Sequence, residues 1–440
     1  MFHKKELDFI EEKAMRVTVV GLGYVGFTLA LTLAESGHQV YGLEISEETI
    51  KTLASGKSHV KEPGIEELLK SHLGNSFQVG SDNQRVREFN DAVIYCLPTP
   101  LNAGIPDLTY FIRAVGSTLP YVCKETLFII RSTVPVGTTR NLIVPLLKEK
   151  EIFRDSEPMV AVCPERTAEG RALEELRNLP QLGAATSPQA MDRAKELFSF
   201  AREFIPLDSL EAGEAAKLFS NVFRDIQFAL ANEFALLAEE WGFDIYQVIE
   251  AVNRNYPRAN IAAPGLGVGG PCLSKDTYLM AHSARKHEPR LSLQARKVNE
   301  EIVLKELLRI LPLVKGNKAL VCGLAFKGRP ETNDIRNSPG VEIIKNLLNR
   351  NFVVYGFDPA LKEEVIFKTG ALSEPLAKSV KEADLIVIAN NNPFFEREEF
   401  WKLLSEKKEN CYILDGWGLS GKRKLKGLIK LGVGDEGSDH

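Results

Sequence analysis

The stretch R-V-T-V-V-G-L-G-Y-V-G-F-T-L-A-L-T-L-A-E-S-G, Arg16 to Gly37, decides the fold class. A short β-branched run, a glycine turn and an apolar segment of helical length follow one another, and this order opens a βαβ unit. Gly21, Gly23 and Gly26 form G-x-G-x-x-G at the strand-to-helix junction, where glycines permit a tight turn and the helix N-terminus attracts a pyrophosphate. The next strand, Gln39 to Glu44, ends in an acid close to the twenty-residue offset of a ribose-binding carboxylate. Glu44 repels a 2′-phosphate and no arginine follows it, so the pattern points to NAD rather than NADP.

Outward from this unit, apolar runs at Ala92–Leu97, Leu127–Ile130 and Met159–Val162 alternate with helical segments, which predicts a parallel, doubly wound sheet. Leu210 to Trp241 contains no proline and one early glycine, so a single helix about 45 Å long is predicted there at ~1.5 Å per residue. Past Lys315 the βαβ pattern returns. L-V-C-G-L-A-F-K-G echoes V-V-G-L-G-Y-V-G, V-Y-G-F-D echoes V-Y-G-L-E, and Ala383–Ala389 echoes Asp91–Leu97. The reading is α/β: two Rossmann-like doubly wound domains, 14–209 and 316–431, joined by a central helical domain, 210–315, with a long spine helix. Asp358 survives in the second copy but the glycine triplet does not, so no second NAD is placed there. The tail from Gly432 is read as frayed.

With 440 residues, 44% hydrophobic, the chain can bury more than one core. Its net charge of -4 gives no broad field for nucleic acid or anionic lipid, so an anionic ligand has to be held locally. No stretch reaches the roughly 18 apolar residues of a membrane span, and the charged N-terminus resembles no signal peptide. A cytoplasmic protein with no nucleic-acid or membrane partner is expected. The six cysteines show no CxxC pair and no zinc or disulfide spacing, and no metal is expected.

Cys272 differs from the other five. It lies in P-G-L-G-V-G-G-P-C-L-S-K-D, Pro264 to Asp276, where glycines allow close approach to a ligand and a lysine stands nearby to favour a thiolate. A loop cysteine that merely packs against a neighbouring domain is the plain alternative. On the long helix Glu214, Lys217, Asn221 and Asp225 share one face between apolar residues, and a buried lysine and asparagine need partners. Two loops after strand ends, S-T-V-P-V-G-T and C-P-E-R-T-A-E-G, offer Thr133, Glu165 and Glu169, each of which is also explicable as turn or capping chemistry.

Taken in order, G-L-G-Y-V-G, C-L-P-T-P, S-T-V-P-V-G-T-T, P-E-R-T-A-E-G, E-A-A-K-L-F-S-N, G-V-G-G-P-C-L-S-K-D and F-K-G-x(7)-R-N-S-P resemble the UDP-glucose/GDP-mannose dehydrogenase family over nearly the whole chain. The resemblance implies an NAD domain, a central dimerisation domain and a UDP-sugar domain, with a homodimer formed through the central helix. It implies that Cys272 is the nucleophile, that Lys217, Asn221 and Asp276 stabilise oxyanions and handle protons, and that Glu165 activates water. Thr133 and Glu169 support the water and the nicotinamide end, while Tyr24, Val25, Pro98 and Thr99 join the glycines and Glu44 around the cofactor. Arg166, Gly269, Lys327 and Arg336 join the substrate-binding set with Glu165, Lys217 and Asn221.

V-N-R-N-Y-P-R-A-N, Val252 to Asn260, is similar to the N-acetylhexosamine branch, in which Arg258 and Asn260 reach a sugar site. Pro271 and Ser274-Lys275 depart from that branch. The mixture favours UDP-GlcNAc or UDP-ManNAc as substrate, with UDP-glucose second. In the implied chemistry the C6 alcohol is oxidised to a carboxylate in two hydride transfers, with the aldehyde held on Cys272 as a thiohemiacetal and then a thioester. A two-electron hydroxy-acid dehydrogenase shares the first domain and the long helix but leaves Cys272 and the third domain unexplained. A non-catalytic nucleotide-sugar-binding regulator would have no need of the reactive side chains.

Overall fold

The computed structural model describes residues 14–154 and 156–434. The chain divides into two compact units, one formed by residues through Ser220 with Tyr278–Glu288, the other by Asn221–Thr277 with the residues from Pro289 on.

The first unit is built on an eight-stranded sheet. Its strands are β1 (Arg16–Val20), β2 (Gln39–Leu43), β3 (Phe77–Gly80), β4 (Ala92–Tyr95), β5 (Leu127–Ile130), β6 (Met159–Val162), β7 (Gln181–Ala185) and β8 (Phe204–Pro206), in the order β8-β7-β6-β5-β4-β1-β2-β3. Every residue of β4, β5 and β6 is buried, as expected of parallel strands covered on both faces. Ala92 and Ile94 point into one core with Val17, Val19 and Ile129, while Val93 and Tyr95 point into the other with Phe128 and Ile130.

The sheet is not wholly parallel. β7 runs antiparallel to β6, pairing Ala161 with Ala185 and Val162 with Ala184. The link between them carries one seven-residue helix, Ala172–Asn178, and returns the chain beside β6 instead of crossing the sheet.

Helix α1 (Tyr24–Glu35) follows the glycine turn, and helix α2 (Leu210–Trp241) is unbroken over 32 residues. In the second unit, β9 (Lys318–Cys322), β10 (Val353–Phe357), β11 (Leu385–Ile388), β12 (Tyr412–Asp415) and β13 (Leu428–Lys430) form a parallel sheet in the order β10-β9-β11-β12-β13. The other helices used below are α3 (Leu273–Ser283), α4 (Arg290–Ile310) and α5 (Pro339–Leu348).

The two sheets repeat the same backbone device. Gly21 and Gly323 both adopt positive φ, +87° and +92°, at the end of the first strand. A Cβ on Gly26 would overlap the carbonyl oxygen of Gly21, and one on Gly340 would overlap that of Gly323. The third glycine of the fingerprint is therefore present in the second copy, displaced by the loop between Gly323 and α5. Between Gly323 and α5 the chain runs through the longer stretch 324–338, where the first copy has only the short glycine turn.

The expected fraying at Gly432 does not occur. Its N–H donates to Glu239 at 2.7 Å and its carbonyl accepts from Ile245 at 2.9 Å, while Gly434 donates to the Phe243 carbonyl at 3.2 Å. The rest of that tail, 435–440, lies outside the described residues. Among the described residues no helix is long and apolar enough to cross a membrane.

Candidate active site

The first strand-turn-helix fits a dinucleotide. Gly23 faces open space where a Cβ meets nothing within 4 Å, leaving room for a phosphate against the start of α1. The Glu44 carboxylate accepts from Leu22 N at 2.8 Å through one oxygen and from Ile45 N and Ser46 N at 2.8 and 2.9 Å through the other. The oxygen on Leu22 keeps a second lone pair for a ribose hydroxyl. His59, which the motif reading did not single out, holds the same turn through an Nε2 to Leu22 carbonyl bond of 2.8 Å. Burial lowers its pKa from the ordinary 6.5.

Tyr24 does more than flank the glycines. Its hydroxyl donates to Glu62, while Gly170 N donates to the Tyr24 oxygen at 2.7 Å and to Glu62 at 3.0 Å. The start of α1 is thus tied to the loop that carries Glu165, Arg166 and Glu169. Burial, reinforced by Glu62, raises the phenol far above its usual range. Val25 is half-buried beside it.

The strand-end loops are cross-linked within the same unit. Leu97 N donates to Ser132 Oγ at 2.7 Å and Thr99 Oγ1 donates to the Thr133 carbonyl at 2.7 Å, which joins the segment holding Pro98 to the one holding Thr133. Arg131 lies beneath the next loop, donating to the Cys163 carbonyl at 3.1 Å and to Gln181 at 2.6 Å. Glu165 accepts from Thr167 N and lies 3.7 Å from the Lys217 ammonium, both side chains nearly buried. Arg166 donates to the Pro180 carbonyl, and Glu169 is half-buried.

All four polar residues of the α2 stripe are buried. Glu214 accepts from Gly137 N, Thr139 N and Thr139 Oγ1 at 2.5, 2.7 and 2.6 Å, while burial raises its pKa. In the second unit Asn221 donates to Asp276 Oδ2 at 2.6 Å, and Lys275 reaches Asp276 Oδ1 at 2.7 Å. Asp276 is fully buried, its charge met by that lysine and amide.

Cys272 caps α3: its carbonyl accepts from Lys275 N and Asp276 N at 3.1 and 3.0 Å. A helix N-terminus favours an anion there, which suits a thiolate. Cys272 is exposed. By contrast Cys163 is buried and Cys96 half-buried, and burial pushes both thiols up to about 12.

Gly269 packs where a side chain would strike the Asn337 carbonyl and Pro339. Gly270 N donates to the Arg336 carbonyl at 3.1 Å, so the cysteine loop and the loop after β9 are in contact. The Lys327 ammonium lies 5.5 Å over the Phe326 ring, and Arg336 pairs with Asp334 at 2.5 Å. Arg258 stacks over Tyr256 at 4.8 Å, and it and Asn260 are exposed on a segment closed at its base by Asn253, which bonds Ile261 N and O at 2.9 Å each.

His59 and Glu62 lie outside the quoted motifs, and Arg131 only borders the one that begins at Ser132. Their partners lie far along the sequence, and only the fold brings them to the predicted loops.

Three consecutive family models match the chain: the UDP-glucose/GDP-mannose dehydrogenase family NAD binding domain over residues 15–202, the central domain over 211–301 and the UDP binding domain over 320–422. A UDP-N-acetyl-D-mannosamine dehydrogenase of Pyrococcus horikoshii is 34% identical over 96% of this chain and 99% of its own length. The solved structure of a UDP-D-ManNAc dehydrogenase from that organism superposes with a TM-score of 0.86 over 96% of this chain and all of the other, at 35% identity. A UDP-glucose dehydrogenase from Pyrobaculum islandicum superposes at 0.83 and 27% identity, covering 96% and 98% of the two chains. With the glycine turn, Glu44 and all three domain matches in agreement, the chain belongs to the UDP-glucose/GDP-mannose dehydrogenase family and is an NAD-dependent nucleotide-sugar dehydrogenase.

Proposed function

We propose that the enzyme oxidises the C6 alcohol of a UDP-N-acetylhexosamine, UDP-ManNAc or UDP-GlcNAc, to the UDP-uronate through a covalent intermediate on Cys272. The observation that carries the chemistry is an exposed cysteine at a helix N-terminus, one turn before the buried Asp276. Similarity to the Pyrococcus enzyme and the Arg258-Ala259-Asn260 element support the sugar class. Pro271 and the likeness to a UDP-glucose dehydrogenase favour UDP-glucose as the second reading.

Bound NAD supplies the hydride acceptor, one molecule for each two-electron step. The Cys272 sulfur adds to the C6 aldehyde, forming a C–S bond, and Lys217 and Asn221 stabilise the resulting oxyanion. Asp276, held by Asn221 and Lys275, fixes the amide and takes part in proton transfer. After the second oxidation Glu165 takes a proton from water as it adds to the thioester, the C–S bond breaks and the Cys272 thiolate returns. Thr133 and Glu169 support this water and the nicotinamide end. Arg166, Gly269, Lys327, Arg336, Arg258 and Asn260 bind the nucleotide sugar. In this reading the domains are 14–209, 210–315 and 316–431, the chain acts in the cytoplasm, and two copies pair through α2.

NADH formation with a panel of UDP- and GDP-sugars tests the proposal. Two NADH per uronate, with an N-acetylhexosamine preferred, is the expected result. One NADH per product would remove the thioester, and a preference for UDP-glucose would move the substrate to the second reading.

A further inference from the structure

Resting on the reading of Cys272 as nucleophile, we propose that Arg296 is a positioning residue that holds the cysteine loop in its reactive shape. Arg296, on α4, is 1% exposed and donates to the carbonyls of Val268 at 3.1 Å and Leu273 at 3.2 Å, so its guanidinium grips the loop on both sides of Cys272. Its charge is met by Asp225 at 2.9 Å. Asp225 also accepts from Asn299 Nδ2 at 2.8 Å and Thr277 Oγ1 at 3.4 Å. Asn299 accepts from Asn232 at 2.9 Å, and Asn232 in turn accepts from Gly265 N at 2.9 Å, at the far end of the loop.

This arrangement is costly if its purpose is stability alone. Replacing a buried ion pair with well-packed apolar residues of similar volume is often neutral or stabilising. A fork that donates to two carbonyls flanking one reactive residue provides geometry instead, and the segment it grips is glycine-rich and has little stiffness of its own. Misplacing a reacting group by about 1 Å can cost roughly 100-fold in rate.

Arg296→Lys separates the two roles: lysine keeps a cation for Asp225 but lacks the planar fork that reaches two carbonyls. Hydrogen exchange and steady-state kinetics on the full-length enzyme read the outcome, using UDP-N-acetylmannosamine as substrate. The expected result is roughly ten-fold weaker amide protection confined to 265–273 and a roughly ten-fold lower kcat, with KM for NAD unchanged. Unchanged loop protection, unchanged kcat, or protection lost evenly through the unit with kcat retained would each overturn the proposal. If Arg296→Lys does not fold, Asn232→Ala leaves the ion pair intact and is judged by the same two readouts. Cys272→Ala, run in parallel, separates the two ideas: full uronate production there rejects the nucleophile, whereas local exchange in the arginine variant still reports the grip.

Discussion

The Glu44 carboxylate receives the backbone N–H of Leu22 at 2.8 Å, so the residue proposed to discriminate between dinucleotides also fastens the glycine turn. Glu44→Gln therefore has two effects. Removing the like charge against a 2′-phosphate should narrow the NAD to NADP ratio of kcat/KM by roughly ten-fold. The amide has a single oxygen acceptor where the carboxylate has two, so KM for NAD should also rise. An unchanged ratio would show that Glu44 serves the backbone alone.

Glu165→Gln should stop the reaction after oxidation. The amide cannot take a proton from water, so two NADH should form rapidly per active site, followed by turnover at least about 100-fold slower than in the wild type. Mass spectrometry of the quenched protein should find the acyl group on Cys272. A steady rate with no burst and no adduct would assign water activation elsewhere.

His38 is buried, and its Nδ1 accepts from Met15 N at 3.1 Å, so the folded state needs the neutral ring. Burial lowers its pKa from 6.5. A depressed folded pKa contributes stability that is complete above 6.5 and is lost as pH falls through the lower folded value. Tm should therefore fall between pH 7.5 and 5.5. His38→Asn, whose Oδ1 can accept from Met15 N, should show a shallower fall, and an equal slope in both proteins would count against the assignment.

Phe219 and Phe223 are each 61% exposed on α2, and Leu230 on the same helix is 46% exposed. Aromatic side chains left this open one turn apart on a long helix form the kind of apolar patch that the proposed dimer would cover. Phe219→Ser with Phe223→Ser should turn the proposed dimer into a monomer at micromolar concentration in sedimentation velocity. A wild-type monomer, or an undisturbed dimer in the variant, would rule out this face.

The glycine turn, the bounds of α2, β5 and β6, and the isolated character of Cys272 were legible because each depends on a local pattern: a motif, an uninterrupted helix, a β-branched run. The stripe of Glu214, Lys217, Asn221 and Asp225 was legible as a stripe but not in its pairings, since Asp276, Arg296 and Thr139 lie far from it along the chain. The antiparallel entry of β7 was hidden for a similar reason. Its composition suits either direction, and strand polarity is decided by where the preceding link returns. The tie on Gly432 depends on Glu239, which no reading of the tail alone can supply.

The close seat of Gly340 against Gly323 anchors α5 to its sheet regardless of the path taken by the fifteen residues between 323 and 339. That stretch has both ends fixed and holds Lys327 and Arg336, so changes within it reach the proposed substrate contacts while the supporting strands stay the same. In the proposed reading, the matching segment of a relative with another sugar preference is therefore a candidate for exchange. Transplanting one is a route to new selectivity that leaves the NAD half of the molecule untouched.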